Sequence, residues 1–113
     1  MAQVRLTGAV KSTLVALQHA GSEGAYGRDV ADSSGVSRTT IYDVLGRLEV
    51  AGLATSEWED VEARDVKRPR RRLYRLTAEG QRIAVDTIET EVEALLGRRI
   101  PRTWLPGIEV KHR

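Results

Sequence analysis

The stretch from residue 26 to residue 51 constrains the fold most, because its pattern predicts two helices joined by a tight turn. A short helix is predicted from Tyr26 to Ser33, ending at Ser34-Gly35, where glycine can adopt the left-handed backbone of a sharp turn. The hydroxyl of Ser37 then offers an N-cap to a longer helix from Arg38 to about Ala51. Four apolar residues of this helix recur at the spacing of one buried face: Ile41, Val44, Leu45 and Leu48.

The residues between these two helices fit a close, angled pairing. Ala31 is small enough to let the helices approach, and Gly35 follows four residues later, where the chain must turn. Val30 and Val36 are apolar where such a unit would face its own core. A helix that reads DNA is held by a second helix at such an angle. The window therefore resembles the helix-turn-helix of bacterial repressors.

The rest of the chain predicts one more helix before this unit, and two strands and a helix after it. Leu6, Val10, Leu14 and Leu17 lie on one face of a first helix, with Thr7 as its N-cap and Gly21 as its stop. Strands are predicted over Leu53 to Val61 and Arg71 to Leu76, with a charged loop between them. A final helix is predicted from the Thr77 N-cap to about Arg99, with Pro101 enforcing its end.

These elements define a mainly α-helical fold with a small two-stranded β-wing and a C-terminal dimerisation helix. We expect a DNA-binding part over residues 1–80 and a C-terminal helix and tail over residues 77–113 that dimerises, within one compact domain. A length of 113 residues agrees with one domain. There is no cysteine, which excludes disulfides and thiolate chemistry. No stretch approaches the ~20 apolar residues of a membrane span, so we expect a soluble, cytoplasmic protein.

Charge is unevenly distributed, although the net charge is only +2. Between residues 64 and 75 there are seven basic residues and only one acidic residue, Asp65. An acidic patch over residues 57–62 comes just before them. The basic residues are Arg64, Lys67, Arg68, Arg70, Arg71, Arg72 and Arg75. Two interpretations remain open, a local contact with a polyanion and a solvated, flexible loop.

Short elements in a fixed order resemble the PadR-like family of winged-helix regulators and cover roughly residues 25 to 80. They are Thr40-Ile-Tyr42, Leu45-Gly-Arg-Leu-Glu49, Ala51-Gly-Leu53, Ser56-Glu-Trp58, the run from Arg68 to Thr77, and Glu79-Gly80. MarR-like and other winged-helix families share the Arg-Leu-Glu and Ala-Gly-Leu pieces. The chain departs from the PadR-like pattern in its short second helix and in Arg38-Thr39, where such proteins often have Pro-Gly.

The resemblance implies which residues bind DNA. The start of the third helix would enter the major groove, where Arg38 is suited to a guanine edge and Thr39 and Thr40 to thymine methyls or phosphates. The wing would contact the backbone or the minor groove. The full set of candidate DNA-binding residues is Ser37, Arg38, Thr39, Thr40, Tyr42, Arg47, Arg68, Arg70, Arg71 and Arg72. The alternatives are that Thr39 and Thr40 are ordinary first-turn residues and that Tyr42 packs on the core.

The last helix carries an apolar stripe that predicts a contact between helices. Its members are Val85, Ile88, Val92, Leu95 and Leu96. The stripe is suited to a two-helix seam in a homodimer, and the alternative is packing against the first helix of the same chain. Trp58, on the first strand, is expected to be structural. Trp104 is a candidate ligand contact, since some PadR-like proteins stack planar drugs on an interface Trp, and the alternative is that it seals the dimer or the core.

No catalytic or metal-binding pattern accompanies these features. His19 and His112 lack a carboxylate partner at the spacing of a metal site or a triad. We therefore predict a non-enzymatic regulator of transcription, a dimeric repressor that binds double-stranded DNA, with no cofactor. A small-molecule effector is left open as a further partner. The alternatives are a winged-helix protein–protein interaction module and a phage-type DNA-binding accessory factor.

Overall fold

The computed structural model of the protein describes residues 4–101 and 103, except the side chain of residue 63. This part of the chain contains five α-helices and three short strands. The helices are α1 (Gly8–Ala20), α2 (Gly27–Ser34), α3 (Arg38–Val50), α4 (Ala63–Val66) and α5 (Ala78–Leu96). The strands are β1 (Ala25–Tyr26), β2 (Ala54–Trp58) and β3 (Arg72–Leu76).

Hydroxyl side chains start the three longest helices, as the sequence predicts. Thr7 accepts from the amide of Val10 at 3.4 Å, and Ser37 accepts from the amide of Thr40 at 3.3 Å. Thr77 does the same for Gly80 at 3.1 Å. Each bond satisfies an amide that the helix itself leaves without a partner. These caps confirm the predicted starts of α1, α3 and α5.

Two helices end where a glycine adopts a left-handed backbone. Gly35 (φ 78°) closes α2 and donates its amide to the carbonyl of Ala31 at 3.0 Å. Gly97 (φ 68°) closes α5 in the same way, through the carbonyl of Glu93. The predicted end of α5 near Arg99, set by Pro101, is therefore wrong. The helix ends at Leu96, because Gly97 closes it four residues before the proline.

The wing is a three-stranded antiparallel sheet in the order β1-β3-β2. The prediction of two strands was therefore one strand short. β2 and β3 pair from Ala54–Leu76 to Trp58–Arg72. The added strand β1 pairs with the other edge of β3, with Ala25 opposite Tyr74. A two-residue strand inside a glycine-rich turn has no periodicity to detect, which is why the sequence did not predict it.

One aliphatic core joins α1, α2, α3 and the sheet. Leu14, Ile41 and Leu45 are fully buried in it. Tyr74 of β3 is 5% exposed, and burial raises the pKa of its hydroxyl, so it stays neutral in the core. Leu6 does not join this face as predicted, because it precedes α1 and is 46% exposed.

Helix α5 packs along α1 and then over a second, smaller apolar cluster. Lys11 of α1 and Glu91 of α5 form an ion pair with a 2.8 Å separation between Nζ and Oε1. The second cluster contains Val85, Ile88 and Ile100, with Val92 packed against it. The first half of the predicted dimerisation stripe is thus covered by the protein's own chain.

The segment between β2 and β3 contains more structure than the predicted loop. β2 ends at Trp58, short of the predicted Val61, and the single turn of α4 follows. Lys67 adopts a left-handed backbone (φ 55°) directly after α4 and turns the chain back toward β3. We call residues 59–71 the wing loop.

Candidate nucleic-acid interface

The first turn of α3 presents a polar surface to solvent. Ser37, Arg38, Thr39 and Thr40 are all exposed, whereas Ile41 behind them is fully buried. The hydroxyl of Ser37 lies 3.1 Å from that of Thr39 and 3.0 Å from that of Thr40. Among the described residues Arg38 makes only a long contact with Asp32, at 3.5 Å, and both side chains are more than half exposed. The guanidinium of Arg38 is therefore available to a ligand at little cost.

Two further candidates lie along α3 toward its C-terminal end. The ring of Tyr42 is half exposed and lies against Gly27 at the start of α2, where a Cβ atom would meet it at 2.5 Å. Tyr42 is thus a surface residue that contacts α2 and not a member of the core. Arg47 pairs with Asp43, one helical turn earlier, at 3.2 Å, and both are exposed.

The basic residues of the wing differ in how far they are engaged within the chain. Arg72 lies over the ring of Trp58 at 5.1 Å, and Arg71 lies over the ring of Tyr26 at 4.0 Å. Trp58 is 56% exposed, so Arg72 stacks on a ring that is itself at the surface. Arg70 is exposed and donates only Nε, to the carbonyl of Val61 at 2.7 Å. Its terminal nitrogens make no hydrogen bond within the described part of the chain.

A carboxylate that the sequence did not single out binds two of these arginines. The side chain of Glu59 is only 7% exposed and forms an ion pair with Arg68. It also accepts from the amide of Arg71 at 2.9 Å and lies 3.6 Å from Nε of the same residue. The amide of Glu59 in turn donates to the carbonyl of Arg71 at 2.9 Å. We call this group of three residues, Glu59, Arg68 and Arg71, the wing clasp.

The clasp carries the largest electrostatic perturbation among the described residues. Hydrogen bonding to Arg68, helped by the Arg71 amide and by the charges of both arginines, lowers the pKa of Glu59 from 4.5 to about 2. The same hydrogen bond raises the pKa of Arg68. Glu59 is therefore ionised at any physiological pH.

Two chains of contacts connect the wing to α3. Glu49 of α3 accepts from the hydroxyl of Ser56 on β2 at 3.0 Å, and that hydroxyl accepts from Nε of Arg72 at 3.0 Å. On the other side, Arg71 lies over Tyr26, whose neighbour Gly27 contacts the ring of Tyr42. These contacts set the wing and the candidate reading helix in a defined relation, although they are far apart in sequence.

The sequence predicted the exposed basic residues but not the residues that hold them in place. The candidates on α3 and in the wing are all at the surface, except that Arg68 is partly covered. Glu59, Glu49 and Ser56 were not predicted as functional. The acidic patch at residues 57–62 was the signal for Glu59, but sequence alone does not indicate which carboxylate faces inward.

A groove lies on another side of the molecule, between the segment before α1, the end of α3 and the start of α5. Its volume is about 540 Å³. Leu6, Leu53 and Ile83 supply apolar walls. The charged residues that also line it are Lys11, Glu79, Asp86 and Glu91. Trp104, a candidate ligand contact, lies outside the described residues. Over the described ranges there is no cluster of three or more His, Asp or Glu side chains suited to a metal ion.

Two helices joined at a glycine turn, with a three-stranded wing beside the second helix, define a winged helix-turn-helix DNA-binding protein. The sequence matches the model of the "Transcriptional regulator PadR-like family" over residues 17–85, more than half of the chain. The protein therefore belongs to the PadR-like family of transcriptional regulators. No curated protein matches it in sequence.

Solved structures share this fold. A candidate DNA-binding protein from Ralstonia eutropha JMP134 is 27% identical, with a TM-score of 0.56 over 73% of this chain and 96% of its own. A point mutant of S. aureus MepR is 26% identical, with a TM-score of 0.61 over 81% of this chain and 64% of its own. MepR bound to ethidium bromide is 21% identical, with a TM-score of 0.55 over 86% of this chain and 67% of its own. No helix in the described part of the chain is long and apolar enough to cross a membrane.

Proposed function

We propose that the protein is a dimeric repressor whose α3 enters the major groove of its operator while the wing binds the adjacent DNA backbone. The observation that carries this proposal is the polar, exposed first turn of α3 on a helix whose other face is buried. An N-terminal turn of this kind suits both base edges and phosphates, because its amides and dipole favour anions. Such a protein would act in the compartment that holds the DNA, which we expect to be the cytoplasm.

Within the wing, Arg70 is the best candidate for a phosphate contact. Its guanidinium is exposed and its terminal nitrogens have no hydrogen-bond partner among the described residues, whereas Arg68 and Arg71 are engaged by Glu59. Anisotropy of a labelled duplex from the gene's own upstream region tests this at several salt concentrations. We expect Arg70→Ala to weaken binding and to reduce the slope of log K against log salt by about 0.9 per protomer, which is about 1.8 for a dimer that binds with both wings.

Arg82→Ala is the matched control for that experiment. It removes the same charge from α5, where Arg82 pairs with Glu79 and Asp86. We expect its salt slope to equal that of wild type. Absence of duplex binding by the wild type, even at low salt, would refute the DNA-binding role and would direct the search to protein partners.

Base reading is tested by a different residue in the same assay. If Arg38 contacts a guanine edge, Arg38→Ala reduces the preference for the upstream duplex over a scrambled duplex by about 10-fold or more. A uniform loss on both duplexes would instead assign Arg38 to the backbone.

The dimer is proposed to use the end of α5. Leu95 is 86% exposed and Leu96 is 52% exposed, whereas Val85 and Ile88 are already buried in their own chain. Burying each leucine is worth about 1.5–3 kcal/mol. We expect Leu95→Glu to shift the protein to monomer in sedimentation velocity runs, and Ala94→Glu, an exposed neighbour on the same helix, to leave the dimer intact. A dimer that survives Leu95→Glu would place the interface elsewhere.

An effector site is proposed in the groove between the start of α5 and the end of α3. Its apolar walls suit a planar organic compound, and MepR has been solved with ethidium bromide bound. Release of the upstream duplex by such a compound, lost in a variant that fills the groove such as Ala51→Leu, would support this proposal.

A further inference from the structure

The wing loop has almost no net charge, so its binding to DNA cannot depend on charge alone. Residues 59–71 hold five basic and four acidic side chains. For such a loop, attraction to the DNA backbone depends on which cations face the DNA and how firmly they are held. The position of Glu59 therefore matters more than its charge.

Glu59 is tethered to the chain on both sides of Arg70. It binds the side chain of Arg68, two residues before Arg70, and the amide of Arg71, directly after it. The carbonyl of Pro69, directly before Arg70, accepts from Arg68 at 3.2 Å. Both neighbours of Arg70 are thus fixed by one network that is anchored on Glu59.

The partner of Arg70 itself lies close to Glu59 in the chain. Arg70 donates Nε to the carbonyl of Val61, which lies two residues after Glu59. The mutual backbone bond between Glu59 and Arg71 brings these two arms of the loop together. The left-handed residue Lys67 turns the chain so that Arg68 can reach Glu59.

We propose that Glu59 is a positioning residue for DNA binding, which holds the wing loop so that the guanidinium of Arg70 projects toward the DNA backbone. The proposal rests on the wing contact proposed above. Since the negative charge of Glu59 offsets part of the positive charge of Arg68 and Arg71, charge alone predicts that its removal strengthens DNA binding. Pre-organisation predicts the opposite sign, because a loose loop must be ordered on binding. The two effects can therefore be separated by the direction of the change.

Two variants that each remove one carboxylate make the comparison. Glu59→Gln removes both ion pairs of the clasp and leaves one side-chain oxygen as an acceptor. Glu57→Gln removes the same charge two residues earlier, where the exposed carboxylate pairs with Arg75. In anisotropy titrations of the upstream duplex, we expect Glu59→Gln to bind about 10-fold more weakly than wild type. We expect Glu57→Gln to bind as tightly as wild type or more tightly. Equal or tighter binding by both variants would overturn the proposal.

A double-mutant cycle tests whether Glu59 acts through Arg70. In an Arg70→Ala background, Glu59→Gln should cause little further loss, because the side chain that it positions is gone. The same 10-fold loss in both backgrounds would overturn the positioning role. Amide hydrogen exchange should be faster in the wing loop of Glu59→Gln and unchanged in α3, and faster exchange throughout the protein would assign Glu59 a general structural role instead.

Failure of this proposal differs from failure of the proposed function. If Arg70→Ala weakens binding while Glu59→Gln behaves as Glu57→Gln does, only the positioning role fails. If Arg70→Ala binds as wild type does, the wing contact itself fails.

Discussion

Gly80 lies at a close approach between α5 and the chain that leaves α3, and the structure gives the cost of adding one methyl group there. A Cβ atom at this position would lie 1.9 Å from the carbonyl oxygen of Leu53. Carbon and oxygen normally approach to about 3.3 Å, so the first turn of α5 must move by about 1.4 Å in Gly80→Ala. Two hydrogen bonds hold this turn in place, from Thr77 to the carbonyls of Leu53 (3.0 Å) and Gly52 (2.7 Å).

The magnitude follows from these contacts. Overpacking costs about 1–3 kcal/mol, and each weakened hydrogen bond costs about 1 kcal/mol. We therefore expect Gly80→Ala to lower the free energy of unfolding by about 3–5 kcal/mol. For a chain of this size, the melting temperature should fall by roughly 12–20 °C in thermal denaturation followed by circular dichroism.

Gly46→Ala makes the same chemical change without the close contact. Gly46 lies inside α3 and is exposed, and no atom lies within 4 Å of a Cβ atom placed there. We expect this variant to be more stable by about 0.5–1 kcal/mol, because alanine favours a helix interior over glycine. A melting temperature for Gly80→Ala within a few degrees of wild type would refute the argument from packing.

Two further predictions concern α3 and the wing clasp. Ser37→Ala removes the N-cap of α3 and should lower the free energy of unfolding by about 1 kcal/mol in urea denaturation. Ser37→Asp should keep the cap and the wild-type stability. Equal stability of all three proteins would contradict the capping role. The pKa of Glu59 is lowered from 4.5 to about 2, so the stabilising effect of the clasp is fully present above pH 4.5 and is lost as the pH falls toward 2. Carboxyl NMR titration should give a midpoint near 2 for Glu59 and a higher one in Arg68→Gln; a midpoint unchanged by that substitution would contradict the assigned cause.

The sequence by itself determined the four longer helices and the starts of α1, α3 and α5, because these depend on local chemistry. The apolar residues of α3 from Ile41 to Leu48 recur at a helical period, and a hydroxyl residue such as Ser37 caps the helix whatever surrounds it. The turn at Gly35 is equally local, since its left-handed backbone suits glycine. From these features the helix-turn-helix fold was predicted correctly.

Only the tertiary structure determined that a third strand forms, where α5 ends and which residues hold the wing loop. β1 is two residues long and exists because β3 offers it a free edge. Val85 and Ile88 are covered by a chain segment that returns past Gly97, which periodicity along one helix does not report. Four carboxylates lie in the wing loop, and only the fold brings Glu59 against Arg68 and Arg71. Such contacts join residues that are distant in sequence, so their energies depend on geometry that residue types alone do not specify.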